Sequence, residues 1–191
     1  RAISCVVEAL PEAALVVSTT GKPSRELFEV RKARGETHDR DFLTVGSMGH
    51  SSKIALGVAL GRKDRRVVCV DGDGAALMHL GAMSTIGSLA PANYHHVVIN
   101  NAAHDSVGGQ PTVGFDVDLG AIAEASGYRA VFRADDETAL VDLLPSFFAT
   151  PGPALLEVRV KVGARKDLGR PTMGPSELKR AFMQACAEET P

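Results

Sequence analysis

Arg66-Val67-Val68-Cys69-Val70-Asp71-Gly72-Asp73-Gly74 is the stretch on which the fold turns. Its apolar residues follow one another without alternation, which is what a strand covered on both faces presents. The same pattern returns at His96-Val97-Val98-Ile99, which runs into Asn100-Asn101. Working outward, further β-rich stretches occupy residues 14–18, 42–45, 129–132 and 154–160. Helical patterns separate them at 24–33, 51–60, 75–89, 119–126 and 137–148, with a last one at 176–188. Strand and helix in alternation predict an α/β three-layer sandwich around a parallel sheet of about six strands. Ligands of such sheets sit at the carboxyl ends of the strands, near a switch in strand order. The loops that follow each strand are therefore where chemistry is to be sought.

The rest of the composition narrows the classes. The 191 residues carry 21 Lys plus Arg against 23 Asp plus Glu, a net charge of −2, with 45% hydrophobic residues. That balance offers no basic footprint for nucleic acid, and no apolar run is long enough to span a bilayer. Cys5, Cys69 and Cys186 are odd in number and form no CxxC pair, which fits reduced thiols in a cytoplasmic protein better than disulfides or a zinc knot. Cys69 reads as core. The chain begins at Arg1 without Met and with no signal-peptide pattern.

Two neighbouring strand ends offer hard oxygen ligands. Gly72-Asp73-Gly74 closes one strand, and Asn100-Asn101 closes the next after 25 intervening residues. Asp73 and Asn101 suit Mg²⁺, which takes carboxylate, amide or carbonyl oxygens, waters and ligand phosphate. The helix opening at Ala75 supplies free N–H groups for an anion, and Gly72 and Gly74 let a phosphate approach the backbone. A diphosphate bridged to the protein by Mg²⁺ fits both features. On the tripeptide alone, Asp73 reads equally as a helix cap. Asn100 reads as a turn residue at the strand end.

The pair of motifs resembles that of thiamine-diphosphate enzymes, whose diphosphate-binding half runs from GDG to NN over about this spacing. The resemblance implies Mg²⁺ ligands at Asp73, Asn101 and the backbone carbonyl of Ala103. Gly46-Ser47-Met48-Gly49-His50 resembles the family loop that grips the aminopyrimidine ring. It implies cofactor contacts at Gly46, Ser47 and Met48: Gly46 gives a carbonyl to the exocyclic amine and Met48 wedges beneath the bent cofactor, or else packs as core. Thr20, after the first strand, stands where the family places further cofactor contacts. Ser24 reads as an N-cap, and Lys22 as a charge that could neutralise substrate or diphosphate. His50 either touches substrate or caps the helix from Ser51.

The run from Asn100 through His104-Asp105-Ser106-Val107 to Thr112 is similar to that of phosphonopyruvate decarboxylases, and less closely to sulfopyruvate decarboxylase β subunits. Arg165-Lys166-Asp167-Leu168-Gly169-Arg170-Pro171 and residues 179–183 resemble the same group. That implies decarboxylation of a 2-oxo acid, phosphonopyruvate giving phosphonoacetaldehyde and CO₂, with the cofactor ring accepting the electrons left as CO₂ departs. Val107 stands where better-known pyruvate decarboxylases carry a protonating glutamate. His104 is the candidate donor in its place, or a loop histidine bound to backbone. The family also uses a glutamate from a pyrimidine-binding domain, and nothing here matches that domain. Residues 1–191 then form one cofactor-binding domain, either the C-terminal half of a longer, oligomeric enzyme or a β subunit that meets an α partner.

Competing chemistries fit worse. A dinucleotide fingerprint wants a small residue where Leu77 stands. A hydrolase elbow around Ser47 lacks its first Gly. His104, Asp105 and Ser106 are consecutive, so their side chains diverge and form no relay. Lys161, Arg165, Lys166 and Arg170 read as a solvated loop, or as a lid that closes over a charged 2-oxo acid. A non-catalytic cofactor-binding or scaffolding domain is the remaining class.

Overall fold

The computed structural model describes residues 1–165 and 167–188. Among the described residues eight α-helices, α1 (Ala2–Glu8), α2 (Lys22–Ala33), α3 (Ser51–Gly61), α4 (Asp73–Met78), α5 (Ala82–Leu89), α6 (Leu119–Ala125), α7 (Glu137–Ala149) and α8 (Pro175–Ala187), surround the strands. Six of these strands, β1 (Leu15–Ser18), β2 (Asp41–Leu43), β3 (Val67–Gly72), β4 (Tyr94–Asn100), β7 (Ala130–Ala134) and β8 (Ala154–Arg159), form one all-parallel sheet in the order β2-β1-β3-β4-β8-β7. A separate two-residue hairpin pairs β5 (Ala103–His104) with β6 (Gln110–Pro111).

The central strand shows why the sheet is covered twice. Val68 and Val70 of β3 pack with Leu27 and Phe28 of α2, Leu140 and Phe147 of α7 and Val6 of α1. Val67 and Cys69 point the other way, to Ala55 of α3, Met83 and Ile86 of α5 and Leu119 of α6. Each fully buried Val or Leu of this kind contributes roughly 1.5–3 kcal/mol. Leu178 and Phe182 of α8 enter the two different cores, so this helix wraps the β2 edge and covers backbone that an open edge would expose.

Two expectations need correction, and one helix was not anticipated. The pattern over residues 75–89 is two helices, α4 and α5, because the chain leaves helical geometry at His79, with ψ of 45°. The amphipathic N-terminus forms α1, a seven-residue helix held by Ile3, Val6 and Val7. Helix α2 starts at Lys22 with Gly21 as its cap, so Ser24 is no N-cap; its hydroxyl donates to Thr19 O at 2.6 Å. Gly21 has φ of +99°, and a Cβ there would fall 2.2 Å from Ser106 Oγ, so glycine is required.

The chain leaves β1 toward β2 on one side, then returns to lay β3 on the other. This reversal opens a crevice between the ends of β1 and β3, the place where α/β sheets bind ligands.

Candidate functional site

A cleft of about 300 Å³ lies over that crevice, lined by Thr19, Thr20 and Lys22 after β1, Met48 after β2, Gly72–Ala75 at the end of β3 and Asn101 and residues 103–106 after β4. At its floor Asp73 is the first residue of α4 and only 2% exposed. The backbone N–H of Asn101 donates to Asp73 Oδ1 at 3.4 Å, and the Thr112 hydroxyl donates to Asp73 Oδ2. Two strand tips 28 residues apart in sequence thus meet around one buried carboxylate. The Asn101 side chain is also fixed: its Oδ1 accepts from Ala103 N–H at 3.1 Å and its Nδ2 donates to Asp105 Oδ2 at 3.2 Å. Asp73, Asn101 and Ala103 each offer an oxygen, carboxylate, amide or backbone carbonyl, of the type that a hard divalent cation could take. Helix α4 has six residues, so an anion at this turn would meet its first free N–H groups more than a long dipole.

His104 lines the same cleft, with its ring directly over the turn: a Cβ on Gly74 would lie 2.4 Å from its Cε1 and Nδ1. Gly74 therefore lets the imidazole come close to backbone. Gly46, Ser47 and His50 do not line the cleft, whereas Met48 does. Gly46 and Ser47 adopt φ of +69° and +47° on an exposed loop. Gly49 anchors that loop on α4, since a Cβ there would meet the Ala75 carbonyl at 2.8 Å. His50 occupies the N-cap position of α3 without a side-chain cap bond, its Nδ1 3.2 Å from Ser47 O.

Two supporting groups escaped the sequence reading. Asn100, taken as a plain turn residue, is fully buried; its Nδ2 donates to Glu157 Oε1 at 2.8 Å and to Gly114 O at 2.7 Å. Glu157 is in turn bound by Arg133 Nε at 2.8 Å and Arg159 Nε at 3.2 Å. The network pins the 102–118 loop, and Gly114 packs so close that a Cβ would lie 2.7 Å from Asp73 Oδ2. Thr112, the second missed group, completes the support of Asp73. An Asn-Asn dipeptide at a strand end carried a hint of such a network, but no local signal pointed to Glu157.

The basic loop divides. Lys161 lines the cleft, while Arg165 pairs with Glu29 of α2 and the Gly169 N–H donates to Glu29 Oε1 at 2.8 Å. Arg165 thereby holds the loop against α2, and Lys166 lies outside the described residues. All three cysteines are free, and burial pushes the Cys69 thiol well above its ordinary pKa. Cys69, Asp71 and His96 bring ligand-type atoms within 4.8 Å of one another, but each is at most 1% exposed, so this cluster belongs to the core beneath the cleft.

The family model for thiamine pyrophosphate enzymes, C-terminal TPP binding domain, matches residues 19–158. The chain is 45% identical over 181 residues to a phosphonopyruvate decarboxylase of Streptomyces viridochromogenes, covering 95% of this chain and 44% of that protein. It is 36% identical to a sulfopyruvate decarboxylase subunit beta of Methanocaldococcus jannaschii, covering 96% and 94%. The chain thus spans less than half of the first relative and nearly all of the second. In fold it matches a candidate thiamin diphosphate-dependent enzyme from Mycobacterium smegmatis with a TM-score of 0.65 and 24% identity, over 83% of this chain and 31% of that one. Matched by the family model over residues 19–158, the chain belongs to the thiamine pyrophosphate enzymes, as a C-terminal TPP binding domain.

Proposed function

We propose that this chain is the diphosphate- and metal-binding part of a 2-oxo acid decarboxylase that converts phosphonopyruvate to phosphonoacetaldehyde and CO₂. The observation that carries the reading is the meeting of Asp73 and Asn101 at the cleft floor. In this reading Asp73, the Asn101 side-chain oxygen and the Ala103 carbonyl hold Mg²⁺, and the N–H groups of Gly74 and Ala75 receive the diphosphate, with Gly72 and Thr20 beside it. Met48 supports the middle of the cofactor, and Gly46 and Ser47 face its pyrimidine end. Thiamine diphosphate supplies the electron sink that decarboxylation needs. The protein's own part is to hold that group, keep the cleft narrow and deliver a proton. His104, over the Gly74 turn, is the proposed donor. His50 serves at the mouth of the site, outside the cleft lining. Lys22 and Lys161, both in the cleft wall, match the second negative group of such a substrate.

The exposed loop around Gly46 is where a pyrimidine-binding domain or α subunit would add its activating glutamate, in an oligomeric, cytoplasmic enzyme. No helix among the described residues is long and apolar enough to cross a membrane. Residues 1–191 are then one domain, the C-terminal half of that enzyme or a separate subunit. Coverage of 94% of a sulfopyruvate decarboxylase β subunit favours a second reading, in which the substrate carries a sulfonate. Turnover of phosphonopyruvate and sulfopyruvate by the complete assembly decides between them. Faster CO₂ release from phosphonopyruvate supports the first; release from sulfopyruvate alone overturns it.

A further inference from the structure

We infer that Asp105 is a positioning residue that fixes which end of the Asn101 amide faces the metal. The inference rests on the metal reading above and adds to it a residue that touches neither metal nor cofactor. Asp105 opens a short 3₁₀ turn just after the β5 strand. Its Oδ2 accepts from Asn101 Nδ2 at 3.2 Å and from Gly163 N–H at 2.9 Å, and its Oδ1 faces Lys22 Nζ at 3.3 Å.

The chemistry of the partners fixes the amide. A carboxylate only accepts, so the end of Asn101 facing Asp105 must be the NH₂ end. A backbone N–H only donates, so the end facing Ala103, 3.1 Å away, must be the oxygen. Either contact reversed would set two donors or two acceptors against each other. The oxygen keeps a second lone pair after accepting from Ala103, and that lone pair is what a cation needs. Without Asp105, the NH₂ end loses its acceptor, only the Ala103 N–H still holds the amide in this sense, and rotation would turn N–H groups toward the cation.

Asp105 is itself kept from acting as the ligand. One oxygen is paired with the Lys22 ammonium, and the other already takes two N–H donors. The same turn is tied to α2 a second time, by the Lys22 backbone N–H donating to Ser106 Oγ at 3.1 Å. The carboxylate therefore works through Asn101, as outer-shell groups do when they orient a metal ligand.

The test is Mn²⁺ binding, read by electron paramagnetic resonance, to the complete protein saturated with thiamine diphosphate. Asp105→Ala should weaken Mn²⁺ binding about 10–100-fold, the usual cost of losing an outer-shell partner. Asp105→Asn keeps an acceptor for Asn101 and should stay within about 3-fold of the parent, less than the loss of one hydrogen bond. Rescue by the amide separates orientation from charge. If Asp105→Ala does not fold by circular dichroism, Asp105→Ser, which shortens the side chain away from Asn101, replaces it with the same expectation. Binding by the Ala or Ser variant within about 3-fold of the parent would overturn the inference, as would Asp105→Asn binding as weakly as Asp105→Ala. Asp73→Ala run alongside guards the foundation: if it keeps full Mn²⁺ affinity, the metal reading itself fails, whatever Asp105 does.

Discussion

At the tips of β3 and β4, Asp73 is 2% exposed and Asn100 is fully buried, and both are bound by neighbours from distant parts of the chain. Across the cleft, the loop after β2 leaves Val45 68% exposed and sets Gly46 in a position where an added Cβ would meet nothing within 4 Å. Both regions reach toward the same cleft, yet one is supported on every side and the other is open. The strand tips take their shape from this chain alone. The loop presents apolar and backbone groups that the rest of this chain does not cover. Under the proposed function, a preorganised metal and diphosphate end beside an open pyrimidine end would be the arrangement expected of a site shared between two domains or subunits.

The largest effect should come from breaking the supported side. Asp73→Ala is expected to weaken metal-dependent binding of thiamine diphosphate by more than about 100-fold, exceeding an outer-shell loss, with the far-ultraviolet circular dichroism retained. Calorimetric titration of cofactor with and without Mg²⁺ checks it, and unchanged affinity would remove Asp73 from the metal.

The base of β4 gives a second contrast within one strand. Burial, reinforced by Arg66, lowers the His95 pKa from 6.5 to about 4. The folded state then binds fewer protons than the unfolded one between these values. Stability from this group is full above about pH 6.5 and is lost as pH falls toward 4, by up to about 3 kcal/mol. Asp41 acts oppositely: burial raises its pKa from 3.8 to about 6, so its share is present at low pH and lost as pH rises through about 6. His95→Gln should therefore flatten the acid limb measured by urea unfolding at several pH values. An unchanged limb would show that His95 is protonated in the folded state.

Glu157→Ala sharpens the comparison at the strand tips. It takes an acceptor from Asn100 and Arg133, and unfolding in urea should report a loss of about 1–3 kcal/mol, with weaker Mg²⁺ binding alongside. The smallest effect belongs to the open loop. Val45→Ser should change the chain's stability by no more than about 0.5 kcal/mol, because an exposed side chain away from packing has little to lose. A cost matching that of Glu157→Ala would mean that the loop is structural, and the contrast would fail.

The layered sheet was legible because Val67 to Val70 and Val97 to Ile99 lack the alternation of a half-exposed strand, and β3 and β4 indeed feed both cores. Asp73 and Asn101 were legible because glycines and amides at two strand ends are a local pattern. The supports were not. Glu157 binds Asn100 across 57 residues and Thr112 binds Asp73 across 39, and neither separation leaves a periodic trace. The Gly21 cap of α2 is dictated by Ser106, a contact made only on folding, so the nearby Ser24 looked the better cap. The break between α4 and α5 was hidden because Leu77, Met78 and Leu80 continue the apolar pattern toward it. Local chemistry thus announced the candidate ligands, while the groups packed around them were set by tertiary contact.

The central claim is that two strand tips share one divalent cation. A crystal structure of the protein with thiamine diphosphate and Mn²⁺, read by anomalous scattering, tests it directly. The account predicts a peak bonded to the Asp73 carboxylate, the Asn101 side-chain oxygen and the Ala103 carbonyl, close to the roughly 2.1 Å typical of Mg²⁺ with oxygen. A peak among Cys69, Asp71 and His96, or one in contact with neither Asp73 nor Asn101, would contradict it.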